Sequence, residues 1–260
     1  MSIARKILMG SSGGKKSTYV DDVFSTYLYR GNNSTQTITN GVDLEGEGGL
    51  VWIKDRDQNY THHSLSTQGV GNLNQFLYTS GNGGFVTAGN NVIDQYNSNG
   101  FNLNIGSGLV NANGIDYTSW SFRKAPGFFD VVTYTGNGSA RTVAHSLGSA
   151  PGMIIIKRLD ASSDWRVYHR NTRPDTPQET SLRLNTNDGM QNGQVYFNDT
   201  FPTSSVFTVG TDSTVNANGG SYVAYIFGGG ESNAATAKSV KFDQNYIKSG
   251  STSDYTMGTG

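Results

Sequence analysis

The feature that most constrains this chain is a similarity between two stretches that lie about 105 residues apart. Val110–Gly114 reads VNANG and returns as Val215–Gly219, and the aromatic residues that follow each copy correspond in kind. Upstream, Gly49–Lys54 corresponds to Gly152–Lys157 at an offset of 103 residues. A unit of this length is a small domain, because solenoid and propeller repeats span only about 20 to 50 residues. The sequence therefore predicts two tandem copies, 19–124 and 125–229.

Composition places both copies in the all-β class. The chain has 34 glycines and only 15% charged residues, and its apolar residues form short runs between turn-forming residues. Repeated Asn-Gly steps are typical of tight turns between strands. Met153–Ile156 is apolar at successive positions, which indicates a strand covered on both faces. We therefore expect two tandem β-sandwich or jelly-roll-like domains.

The two ends differ from the copies. Residues 1–18 combine a short basic and apolar start with a Gly/Ser break, and we interpret them as an N-terminal arm that anchors the chain to a neighbour. Residues 230–260 lose the repeat pattern and contain one strand-like piece at 239–246. We expect an irregular tail or linker there that leads to a further element.

Charge and cysteine content argue against several classes of protein. A formal net charge of −1 without blocks of like charge gives no electrostatic footprint for nucleic acid. No apolar stretch approaches the roughly 18 residues that a spanning helix needs, so we expect no membrane insertion. The absence of cysteine excludes disulfides and thiolate metal sites.

Two motifs suggest nucleotide or metal chemistry, but the residues around them do not fit such sites. Gly14–Thr18 (GKKST) resembles a phosphate-binding loop, but Met9 occupies the position of the first glycine of that motif. His62 and His63 lie near two aspartates, yet the 103-residue offset places Trp165 and Arg166 opposite them. A metal or acid–base site would need the imidazoles in both copies, so we interpret the histidines as surface or packing residues.

Carboxylates, serine and tryptophan give the remaining candidates. Asp55 with Asp57, or Asp160 with Asp164, could form the paired acids of a glycosidase, but Asp57 and Asp160 also fit a turn-capping role after a buried strand. Ser146 follows His145 directly, and adjacent residues of a strand point to opposite faces. The tryptophans could line a sugar platform, although strand aromatics are more often core or interface; they are Trp52, Trp120 and Trp165. We predict no catalytic, cofactor-binding or metal-binding residues, and no enzyme.

The second copy carries six short motifs in a fixed order, which are His145–Gly148, Pro151–Lys157, Trp165–His169, Ser181–Asn185, Pro202–Gly210 and Tyr222–Phe227. In this order they resemble a domain of unknown function found in virion proteins of marine tailed phages such as cyanophages. The first copy departs from the series, since Asn40 stands where the second copy has His145. The opening residues Ile3–Gly10 and Tyr19–Val23 also look like the start of such proteins.

The resemblance implies a virion structural protein, either a tail fibre or its tail-anchoring part, that serves as a spacer or adaptor in host attachment. It also implies a homotrimer that contacts other virion proteins through the arm, with a host surface glycan as a further partner. Such a protein would be made in the cytoplasm of the host bacterium and then reside in the virion tail. Two alternatives remain open, a capsid decoration or vertex spike protein and a glycan-binding or glycan-cleaving adhesin.

Overall fold

A computed structural model describes residues 7–8, 18–57, 64–89, 92–104, 108–173, 175–229, 247–249 and 255–257. The strands are β1 (Ile7–Leu8), β2 (Thr18–Tyr19), β3 (Phe24–Arg30), β4 (Gln36–Thr39), β5 (Gly49–Asp55), β6 (Ser64–Thr67), β7 (Gln75–Tyr78), β8 (Val86–Thr87), β9 (Ile93–Asn97), β10 (Gly100–Leu103), β11 (Asp116–Arg123), β12 (Phe129–Thr135), β13 (Arg141–Ala144), β14 (Pro151–Arg158), β15 (Arg166–His169), β16 (Thr180–Arg183), β17 (Gln191–Asn192), β18 (Val206–Val209), β19 (Ser221–Gly228), β20 (Ile247–Ser249) and β21 (Tyr255–Met257). The described helices are short: α1 (Val20–Val23), α2 (Gln194–Phe197), α3 (Ser213–Asn216) and a 3₁₀ helix at Pro177–Glu179. The predicted all-β class is confirmed.

In the first half of the chain, strands β3 to β11 form two antiparallel sheets. Sheet I has six strands in the order β3-β11-β5-β6-β7-β8, and sheet II has three in the order β4-β10-β9. Their facing side chains form one core that contains Ile38 and Phe101 from sheet II and Val51 and Ile53 from sheet I. Burial of these side chains from both sheets gives the first half the β-sandwich arrangement.

The second half also forms two antiparallel sheets, III and IV. Sheet III has six strands in the order β12-β19-β14-β15-β16-β17, and sheet IV pairs β13 with β18. Sheets I and III share one arrangement of strands. In sheet I, β11 lies between β3 and β5, and in sheet III, β19 lies between β12 and β14. A core that contains Val143, Phe207, Ile154 and Ile156 joins sheets III and IV.

Sheets I and III pack against each other through a third apolar cluster. Its buried members are Leu50, Leu65, Val70, Leu77, Phe129, Ile155, Trp165, Val167, Val223 and Tyr225. The ring centroids of Phe122 and Phe227, one from each sheet, lie 5.6 Å apart. The described residues up to Gly229 therefore belong to one compact unit in which the two halves pack together.

Strand β14 shows how the sequence produces this layered arrangement. Ile154 and Ile156 point into the core with sheet IV, while Ile155 and the partly buried Met153 point into the cluster with sheet I. Successive side chains of a strand point to opposite faces, so a continuous apolar run can fill two cores at once. The prediction that this strand is covered on both faces is confirmed.

The two VNANG segments make matching hydrogen bonds. Asn111 Oδ1 accepts from the Asn32 backbone at 3.0 Å, and Asn216 Oδ1 accepts from the Asn137 backbone at 2.9 Å. The hydroxyls of Tyr29 and Tyr134 each donate to a backbone carbonyl at 2.7 Å, at Val110 and Val215 respectively. Asn111 and Asn216 are fully buried. These bonds satisfy polar groups that burial would otherwise leave unpaired.

Residues 230–260 form a second unit. Within it, β20 pairs antiparallel with β21. The strand-like piece expected at 239–246 lies outside the described residues, as does the predicted arm except for Ile7, Leu8 and Thr18.

Candidate functional site

A pocket of about 320 Å³ lies beside the connection between β6 and β7. Its lining residues are Thr67, Gln68, Gly69, Gly71, Asn72, Leu73, Gln75 and Tyr96. Most belong to that connection, and Tyr96 comes from β9 in sheet II. All of the lining side chains are uncharged, so the pocket offers hydroxyl, amide and apolar contacts.

Two of the hydroxyl-bearing residues are largely buried. Thr67 is 8% exposed and Tyr96 is 7% exposed. Thr67 Oγ1 lies 3.0 Å from the hydroxyl of Tyr225, which belongs to sheet III. Burial raises the pKa of Tyr96 well above its ordinary value, and the neighbouring Tyr225 adds to the rise. Tyr96 therefore keeps its proton near neutral pH and can act as a hydrogen-bond donor.

The connection that forms the rim is held in a fixed conformation. The Asn72 backbone N–H donates to Gln75 Oε1 at 2.9 Å. Gln68 Nε2 donates to the Glu45 carbonyl at 3.1 Å. Gly71 has φ of +75°, a value that a residue with a side chain rarely adopts. Local hydrogen bonds and backbone conformation thus position the amide side chains around the pocket.

Near the pocket, the turn after β7 reaches from the first half onto sheet III. Trp165 Nε1 donates to the carbonyls of Tyr78 and Gly81 at 3.1 and 3.0 Å. Lys157 Nζ donates to the carbonyls of Asn82 and Ser163 at 3.1 and 2.7 Å. Lys157 is fully buried, and burial lowers its pKa to about 8. This polar junction joins the two halves beside their shared apolar cluster.

The first pair of candidate acids takes part in structural hydrogen bonds. Asp55 Oδ1 accepts from the Asp57 backbone at 2.7 Å, and Asp57 Oδ2 accepts from the Asp116 backbone at 2.7 Å. Asp55 thus caps the turn after β5, whereas Asp57 connects that turn to the start of β11. The turn-capping role that the sequence suggested for Asp57 belongs to Asp55.

The second pair of candidate acids lies in ion pairs. Asp160 Oδ1 lies 2.8 Å from Arg158 Nε, and a hydrogen bond from that guanidinium lowers the pKa of Asp160. Asp164 Oδ2 lies 3.1 Å from Arg183 Nε, and its Oδ1 accepts from Asn185 at 3.0 Å. The lowered pKa of Asp160 opposes the proton donation that a catalytic acid must perform.

His145 and Ser146 have different partners. His145 Nδ1 accepts from the Leu147 backbone at 3.2 Å, while the Ser146 backbone donates to Asp130 Oδ2 at 2.7 Å. In the first half, Asn40 Oδ1 accepts from the Val42 backbone at 3.1 Å. Asn40 therefore reproduces the local bond of His145, which explains how an amide can replace an imidazole here.

The tryptophans lie at or near the junction between sheets I and III. Trp165 is fully buried, and its ring centroid lies 6.3 Å from that of Tyr225. Trp52 and Trp120 are half-buried, and their centroids lie 6.1 Å apart in an edge-to-face arrangement. The expectation that these aromatics are core or interface residues is confirmed for Trp165.

The remaining candidates are the paired histidines, metal-binding groups and membrane-spanning helices. His62 and His63 lie outside the described residues. Within those residues, no group of three or more His, Cys, Asp and Glu could hold a metal ion. No helix in the described part of the chain is long and apolar enough to cross a membrane. The sequence prediction missed the pocket residues, because their proximity depends on tertiary contacts rather than on a motif.

Comparison with known proteins identifies the family of this chain. No curated protein and no solved structure matches the chain. The profile of a domain of unknown function, DUF7483, matches residues 19–236 and so spans both halves of the compact unit. Because this match covers most of the sequence, the chain belongs to the DUF7483 family.

Proposed function

We propose that this protein is a non-catalytic structural component of a tailed-phage virion, a tail fibre or its tail-anchoring part. The ordered motifs between His145 and Phe227 support this proposal through their resemblance to virion proteins of marine phages. The observation that carries it furthest is the apolar cluster between sheets I and III, which joins the two halves into one unit. A rigid unit of this kind suits a component that bears mechanical load.

The candidate acids also support a structural role. Asp55 and Asp57 bond to backbone groups, and Asp160 and Asp164 pair with arginines. Each of these groups stabilises a turn or a strand end. We therefore propose host attachment rather than glycan cleavage as the contribution of this chain.

A homotrimer is part of the proposal. Leu28 is 59% exposed on β3, and Phe201 is 54% exposed in the second half. β3 is also an edge strand of sheet I, and contact with another copy would cover such a strand. Static light scattering of the purified chain should give three times the monomer mass, and a monomer at micromolar concentration would contradict the trimer.

Immunoelectron microscopy tests the location. Antibody raised against the purified chain is applied to intact particles of the phage that encodes it, with pre-immune serum as the control. Label confined to the tail supports the proposal. Label over the capsid would identify a decoration or spike protein instead, and unlabelled particles whose denatured proteins also lack the chain would exclude a virion role.

A further inference from the structure

We infer that the pocket between the β6–β7 connection and Tyr96 binds a neutral, hydroxyl-rich ligand the size of one sugar ring. This inference goes beyond the virion role, because it concerns the chemistry of the purified chain and not its place in a particle. The volume of the pocket, about 320 Å³, lies at the small end of the range for ligand-binding pockets, which suits a single sugar ring.

The uncharged lining determines the class of ligand. Gln68, Asn72 and Gln75 contribute side-chain amides, while Thr67 and Tyr96 contribute hydroxyls. Amides and hydroxyls both donate and accept hydrogen bonds, as the hydroxyls of a sugar do. Phosphate, sulfate and carboxylate are bound more strongly by arginine or lysine, and neither residue lines this pocket.

Apolar contacts complement the polar ones. Leu73 is 41% exposed at the rim, although leucine is ordinarily a buried residue. A sugar ring has hydroxyls at its edge and C–H groups on its faces, so it can contact both kinds of group at once.

Local contacts hold several of the groups that line the pocket. The Asn72 backbone bonds to Gln75, and the Thr67 hydroxyl contacts that of Tyr225. Fixed groups lose less conformational entropy on binding, so even a small ligand can bind measurably.

The corresponding region of the second half differs. The connection between β15 and β16 contains an ion pair between Arg173 and Glu179, whose charged atoms lie 3.4 Å apart. The described part of the β15–β16 connection is therefore charged where the β6–β7 connection is neutral, and we place the saccharide site in the first half.

Saturation-transfer NMR on the full chain tests the site, with glucose, galactose, mannose and N-acetylglucosamine as probes. Glucose 6-phosphate serves as the charged counterpart of glucose. We expect binding of at least one neutral sugar, and weaker binding of glucose 6-phosphate than of glucose if glucose is bound. Asn72→Ala removes an exposed amide at the rim, and Tyr96→Phe removes a hydroxyl while it keeps the ring.

Each variant should weaken binding about fivefold, the effect of one lost hydrogen bond. Asn113→Ala, an exposed asparagine outside the pocket, should leave binding unchanged. Thermal unfolding of each variant shows whether it is folded, and Asn72→Ala keeps the test valid if the buried Tyr96 variant is not. The inference is overturned if no neutral sugar binds, if a folded Asn72→Ala chain binds as wild type does, or if the phosphorylated sugar binds more tightly than glucose. These results are independent of where antibody labels the particle.

Discussion

Replacing the buried Lys157 tests the junction between the two halves. This ammonium is fully buried, donates to the carbonyls of Asn82 and Ser163, and lies 5.8 Å from the centroid of the Trp165 ring. These contacts do not fully replace water, so burial lowers the pKa of Lys157 from 10.5 to about 8. Between these two values the unfolded chain binds more protons at this site than the folded chain does.

The sign of the pH dependence follows from that difference. Stability rises with pH wherever the unfolded state binds more protons, so the contribution of Lys157 should rise as the pH increases from 8 toward 10.5. From about pH 7.5 to about pH 9.5 the gain is about 2 kcal/mol. Buried tyrosines, whose pKa values are raised, oppose this trend only near and above their ordinary pKa of 10.0.

Urea unfolding of the wild type and of Lys157→Met at both pH values measures the effect. The wild type should gain about 2 kcal/mol more than the variant, because the tyrosines contribute equally to both. Lys54→Met, at the corresponding half-exposed position of the first half, controls for removal of a lysine charge. Parallel stability curves for the wild type and Lys157→Met would refute the assignment of a strained, buried ammonium at this junction.

Three further sets of substitutions test contacts within the two halves. Asn111→Ala and Asn216→Ala should each lower the free energy of unfolding by about 3 kcal/mol, since each leaves several backbone groups without a hydrogen-bond partner. If the two losses of stability differ several-fold, the two asparagines do not have equivalent structural roles. Gly136→Ala should cost about 2 kcal/mol or more, because its Cβ would lie 2.2 Å from the Ala217 carbonyl oxygen, whereas Gly189→Ala has open space and should be neutral in the same thermal scans. His145→Asn should be more stable than His145→Ala, because an asparagine can keep the bond to the Leu147 backbone. Burial lowers the pKa of His145, so the wild type should lose more stability than His145→Asn when the pH falls below about 6.5. Equal loss of stability in urea unfolding would count against this.

The sequence predicted the strands whose burial follows from their own residues. The apolar run Met153–Ile156 lies within β14, and the corresponding segment Gly49–Lys54 lies within β5. Strand β6 was harder to predict, because Ser64, Ser66 and Thr67 are polar and yet buried. Their burial comes from neighbouring strands and from the other half, which no local pattern reports.

Only part of the candidate site could be predicted from the sequence. An apolar run such as Met153–Ile156 indicates that something covers each face, but it does not identify the covering sheet. Tyr96 and Thr67 lie 29 residues apart in the sequence, and only the packing of sheet II on sheet I brings them to one pocket. Lys157 looks like an ordinary strand-end lysine until the turn after β7 covers it.

The packing of sheet I on sheet III also limits where a partner can bind. Each of these sheets has one face against its own smaller sheet and the other face in the shared cluster. Within the described residues of the two sandwiches, the surfaces left for a partner are therefore edge strands, loops and the outer faces of sheets II and IV. Two corresponding connections at the sheet rims differ in charge. The β6–β7 connection is neutral and the β15–β16 connection contains an ion pair, although sheets I and III have the same strand order. Differences in binding between the halves should therefore arise from these loops, while the shared sheets maintain the common fold.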